Sequence, residues 1–192
     1  MRRLLFLILI GLAAPAPGFA GDRPDRSPGD LFRVSHLRGQ VYALSGRGGN
    51  VGFCVGSDAV FVVDSQYRDA AAGILEEIRK ITDKPVKYLL NTHYHADHVG
   101  GNPAFRPFSL IIAHDSVRKR MLGSPAEILR DYPARMEKAR EAGDARGEKF
   151  YAEQIEWARS IKAEEIAAPF LTFDSELRLC LGEEIIQIWH TP

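Results

Sequence analysis

Residues 91–102 read Asn91-Thr92-His93-Tyr94-His95-Ala96-Asp97-His98-Val99-Gly100-Gly101-Asn102, and His93, His95, Asp97 and His98 put four potential metal ligands within six residues. The apolar run at 86–90 precedes them, so the cluster starts where a buried strand ends and backbone turns can aim several side chains at one point. Neutral imidazole with carboxylate is the donor set that borderline-soft Zn2+ favours. The alternation lets His93 and His95 share one ion while Asp97 and His98 reach a second. A merely exposed histidine-rich loop has no use for the Gly100-Gly101 pair that follows. Two glycines there free the backbone to fold tightly behind the ligands.

Upstream, strand-like runs at 40–44, 51–55 and 59–64 are separated by turn-rich residues, which predicts a meander of short strands. The glycine-rich stretch 46–50 lacks the Lys-Ser/Thr ending of a phosphate loop and joins strand to strand, so it is read as a hairpin turn. After Asp64 the period changes. Tyr67, Ala70, Ala71, Ile74, Leu75, Ile78 and Ile81 fall at helical spacing, and the stretch 82–85, ending in Pro85, closes that helix. A further strand is expected at 109–113, and a helix on one face of a sheet follows from this order.

Downstream, Asp115 is expected to cap a short helix carrying Val117 and Met121. The charged segment 125–164 is read as two amphipathic helices joined by a flexible turn near Gly143 and Gly147, with Pro133 a candidate kink. Such a hairpin either packs as a solvated appendage or forms a lid near the site. Strands are expected again at 171–173, 177–181 and 184–189.

Composition narrows the partners. With 192 residues the chain suits one domain, and 25 basic against 25 acidic residues leave no electrostatic attraction for nucleic acid or an anionic membrane. A small-molecule substrate is the natural reading. Arg2 and Arg3, the apolar run from Leu4 and the small residues ending at Ala20 predict a signal peptide over 1–20, too short to cross a bilayer. A polar lead-in over 21–30 then opens the exported chain, in the periplasm or outside the cell. Cys54 and Cys180 are read as unpaired core thiols without ligand spacing.

The His-x-His-x-Asp-His pattern followed by Gly-Gly resembles the signature of the metallo-β-lactamase superfamily. Asp64, closing an apolar strand, matches that family's strand-end acid, which braces the metal loop; its alternative role is a helix N-cap. The resemblance implies an αββα sandwich and a zinc-dependent hydrolase, in which a metal-activated hydroxide attacks an ester, amide, lactam or thioester. β-Lactams are one substrate class among several. By the same resemblance His93 and His95 hold the first of one or two zinc ions, Asp97 and His98 the second, and Asp97 also orients the attacking hydroxide. Family members take further ligands from the second half of the fold. The chain is accordingly expected to cover mainly the first αβ half (31–192), with an exposed inner sheet face and with His190 outside the ligand set. The same scaffold also serves an iron-dependent sulfur dioxygenase, and an inactive metal-binding fragment is the non-enzymatic alternative. His36 and His114 are read as structural, although His114 stands where it could line a pocket.

Overall fold

The computed structural model describes residues 32–46, 48–162 and 165–191, so the expected signal peptide and the lead-in at 21–30 lie outside the described residues. Among the described residues nine strands and five helices follow in order. Strands β1 (Arg33–Arg38), β2 (Val41–Ser45), β3 (Val51–Val55) and β4 (Val60–Val63) form an antiparallel meander. Helix α1 (Ala71–Arg79) then leads to β5 (Val86–Asn91), which lies parallel to β4. Two short helices, α2 (Ala96–Val99) and α3 (Asn102–Phe105), precede the parallel β6 (Leu110–His114). The long helices α4 (Asp115–Glu141) and α5 (Ala145–Ser160) return the chain to β7 (Leu171–Phe173), again parallel to its neighbour. These strands make one seven-stranded sheet in sequence order, and β8 (Glu176–Leu181) pairs with β9 (Glu184–Trp189) in a separate antiparallel ribbon.

Both faces of the large sheet are covered, which explains why β4 is an unbroken apolar run. Because side chains alternate along a strand, Val60 and Val62 meet Ile74, Leu75 and Ile78 of α1. Phe61 and Val63 point the other way, into a second cluster with Cys54, Leu90 and Ile112. Leu181, Ile186 and Ile188 of the β8–β9 ribbon close that cluster.

That ribbon corrects the expectation of a first half alone. A second β layer is present, and the inner face of the sheet is packed rather than open, because alternating apolar residues of β8 and β9 find the apolar face of β3 to β6. Helix, sheet and second sheet are thus stacked as in the first three layers of an αββα sandwich.

The helical segment also departs from the reading at 115–164. One helix runs through both Pro125 and Pro133, and its N-cap is His114, whose side chain accepts from the Ser116 amide, rather than Asp115. Each proline removes one main-chain donor. Packing holds the helix across those gaps: Val117 and Met121 dock on Val99 and Ala113, while Ile128 meets Ile155 and Ala158 of α5. Tyr67 and Ile81, expected on the buried face of the first helix, lie outside α1 and are partly exposed.

Candidate metal centre

Asp64, His93 and His114 stand at or just beyond the carboxyl ends of the parallel strands β4, β5 and β6, the edge where open α/β sheets place their ligands. His95, Asp97 and His98 follow through the turn into α2. The loop brings the rings of His93 and His98 to 3.9 Å and those of His93 and His95 to 4.8 Å between centroids.

Asp64 organises this loop from below. Its Oδ1 accepts from the Thr92 amide at 2.8 Å, and its Oδ2 accepts from the Thr92 hydroxyl and faces Nδ1 of His98, each at 2.7 Å. With the Nδ1 proton committed to a carboxylate, Nε2 of His98 keeps its lone pair and points away from the brace. The helix-cap alternative for Asp64 fails, since α1 begins at Ala71 and its N-cap residue is Ala70, with no side-chain cap.

Nε2 of His98 lies 3.4 Å from Oδ2 of Asp97. That gap is long for a hydrogen bond. It is close to the roughly 3.3 Å that separates two donors held about 2.05 Å from a tetrahedral zinc. Burial works against a charged His98, but the hydrogen bond to Asp64 and the charges of Asp64 and Asp97 outweigh it, so its pKa is raised. The same field favours any cation at Nε2. His93 goes the other way: burial first, then neighbouring His98, depress its pKa against the pull of Asp64, which leaves the ring in the neutral form that ligates.

Asp97 and His98 therefore bring two donor atoms to a separation that one cation could bridge. Among the described residues no three His, Cys, Asp or Glu side chains converge on a single point.

A polar frame behind the loop escaped sequence reading almost entirely. Ser65 Oγ has two acceptors within reach of its one proton, Asn102 Oδ1 at 2.9 Å and the His98 carbonyl oxygen at 3.1 Å. Asn91 and Asn102 exchange side-chain hydrogen bonds of 3.0 and 2.8 Å, and Asn102 also reaches the Ala167 carbonyl at 3.2 Å. Asp64, Gln66 and Ala167 are the three non-glycine residues with left-handed φ among the described residues. Asp64 and Gln66 belong to the frame itself, and Ala167 is tied to it. Strained backbone held by surrounding bonds concentrates at functional sites.

Gly100 and Gly101 are needed for room rather than for unusual φ, since both are helical. A Cβ at Gly101 would collide with the Ser65 carbonyl oxygen. Their expected role behind the ligands stands, with a different physical reason.

The remaining candidates fall elsewhere. His36 bonds the Gly39 carbonyl and lies against Tyr42. His114 stacks on His190 at 3.7 Å and bonds the Asp174 carbonyl through Nε2, which ties the large sheet to the ribbon. Arg120 of α4 lies over the Tyr94 ring, so the base of the long helix borders the ligand loop. Both cysteines are free, but only Cys54 is buried; Cys180 is exposed, contrary to its expected place in the core.

Residues 44–109 match the sequence model of the metallo-beta-lactamase superfamily, a span that runs from β2 to the start of β6 and includes the whole ligand loop. A linear primary-alkylsulfatase of Pseudomonas sp. (strain ATCC 19151) is 41% identical over 49 residues, 25% of this chain and 9% of that protein. Among solved structures, a subclass B3 metallo-beta-lactamase isolated from a soil metagenome library has 25% identity and a TM-score of 0.44, covering 48% of this chain and 37% of the other. The metallo-beta-lactamase of Hirschia baltica has 22% identity and a TM-score of 0.42, with 46% and 45% covered. The matched portion is less than half the length of each of these proteins.

Proposed function

We propose that this chain, whose residues 44–109 belong to the metallo-beta-lactamase superfamily, provides the loop side of a zinc-dependent hydrolase acting on a small molecule. The observation that carries the reading is the clamp on His98. Asp64 holds Nδ1 at 2.7 Å, so that Nε2 opposes Asp97 at 3.4 Å, a geometry suited to sharing a cation.

In this reading His93 and His95 hold one ion, and Asp97 and His98 the other. Zinc, when bound, supplies Lewis acidity and lowers the pKa of the water it holds to about 7. Every other part is the work of side chains. Asp97 turns Oδ2 toward His98, and its second carboxylate oxygen accepts the proton of the attacking water. Thr92 and Asp64 keep the loop from moving as that charge develops, because Asp64 is already fixed by the Thr92 amide and hydroxyl. Export through residues 1–20 belongs to the same proposal.

The test is turnover of purified protein on a panel of a β-lactam, a carboxylic ester, a thioester and a primary alkyl sulfate, with zinc and after chelation. The alkyl sulfate is included because of the sulfatase relative. Zinc-dependent cleavage of any panel member, abolished by His95→Ala and by Asp97→Ala, is the expected result. Unchanged turnover in either variant would remove those residues from the centre. Iron in the purified protein with oxygen uptake on a persulfide would replace hydrolysis by dioxygenation.

A further inference from the structure

The turn between β2 and β3 lies directly against the ligand loop. A Cβ placed on Gly49 would stand 2.5 Å from Cε1 and 2.7 Å from Nε2 of His98, and 3.1 Å from the main-chain oxygen of Asp97. One on Gly48 would stand 3.0 Å from the Tyr67 ring and 3.2 Å from Cβ of Asp97. Gly48 and Gly49 thus present bare backbone to the Asp97–His98 pair. The space that a side chain at 49 would fill lies against Nε2, the atom left with its lone pair once Asp64 has taken Nδ1.

His98 has no freedom to give way. Its ring is held by Asp64 at 2.7 Å, and its carbonyl accepts from the Ser65 amide at 2.8 Å and the Ser65 hydroxyl at 3.1 Å. A second observation points to the same turn. Gln66 is fully buried; its Oε1 accepts a long bond of 3.4 Å from the Gly48 amide, and its Nε2 has no hydrogen-bond partner among the described residues. A buried amide left half-satisfied costs stability, and here it lies beneath the turn, where it supports Gly48.

We propose that the Gly48–Gly49 backbone is the wall of the Asp97–His98 half of the centre, and that the absence of a side chain at 49 is what leaves Nε2 of His98 open to a divalent transition-metal ion. Gly49 is then a positioning residue that acts through His98. The inference rests on the metal-centre reading above, and its test separates the two.

Cobalt(II) is titrated into the full chain and followed by visible absorption, for the wild type, His98→Ala, Gly49→Ala and the double variant, with melting temperature as a folding control. Gly49→Ala is expected to weaken the His98-dependent binding component roughly ten- to hundredfold. It should add nothing in the His98→Ala background, where the ring it would strike is gone. Wild-type affinity and spectrum in Gly49→Ala would overturn this inference and leave the metal centre standing. A wild type that takes up no cobalt would overturn both. Should Gly49→Ala fail to fold, the His98→Ala pair decides: equal cobalt binding with and without alanine at 49 supports the wall, and a further loss in the double variant overturns it.

Discussion

The ligand loop and the α4–α5 hairpin are held together by opposite means. Asp64, Ser65, Gln66, Asn91 and Asn102 are the buried polar residues of the described chain, and all of them stand in or directly behind the loop. The hairpin is built around Ile128, Ile155 and Ala158, with Tyr132 and Met136 at its margin, while its charges face water. Burying polar groups is costly unless each finds a partner. A fold that confines that cost to one place is fixing geometry there, and the hairpin needs no such accuracy to stay attached.

The largest effect should therefore come from the frame. Asp64→Ala leaves the Thr92 amide, its hydroxyl and His98 without their acceptor, and is expected to cost about 3 kcal/mol in urea unfolding. A loss no greater than that of a surface substitution would erase the contrast between the two regions. Next comes the hairpin's own core. Ile155→Ala should cost about 2 kcal/mol, but locally, so that hydrogen exchange quickens in α4 and α5 while the amides of Thr92 and Ser65 stay protected. Equal quickening in both regions would show that they unfold as one unit.

The layer between the two sheets gives a smaller, pH-dependent effect. Burial first, then the charge of Glu184, pushes the Cys54 thiol up to about 11 from 9.0. Between those values the unfolded chain has released a proton that the folded chain still holds. Stability is thus full below about pH 9 and falls as pH rises toward 11, by at most about 1.4 kcal/mol per pH unit. Cys54→Ala should flatten that decline in a pH series of unfolding curves; an unchanged slope would assign it to other groups. Smallest of all is Arg140→Ala, which removes exposed pairs with Glu137 and Glu148. No measurable shift of the unfolding midpoint is expected, and a clear one would mean that the hairpin depends on its charges.

Sequence reading succeeded where a period or a dense pattern carried the signal. The runs at 51–55, 171–173 and 184–189 are strands with those bounds, whereas the inner face of the sheet, expected to be open, is covered by the β8–β9 ribbon. It failed where one chain position depends on another far away. Nothing local tells that Ser65 will meet Asn102, or that Gly49 will touch His98, because loop closure brings them together. The separate short helix expected after Asp115 failed for a related reason: α4 runs on through Pro125 and Pro133, whose local cost is offset by contacts with β6, the ligand loop and α5. Asp64 was legible as a brace through the family resemblance, its position at a strand end leaving a helix cap equally open, and its three bonds to Thr92 and His98 required the fold.

The loop at 93–98 is proposed to be a metal centre braced by Asp64. The most direct measurement is zinc per chain by elemental analysis of the purified protein, beside His93→Ala/His98→Ala and Asp64→Ala. Bound zinc in the wild type, none in the double variant and reduced occupancy in Asp64→Ala are the expected results. Equal zinc in all three, or none in the wild type after zinc loading, would contradict that proposal.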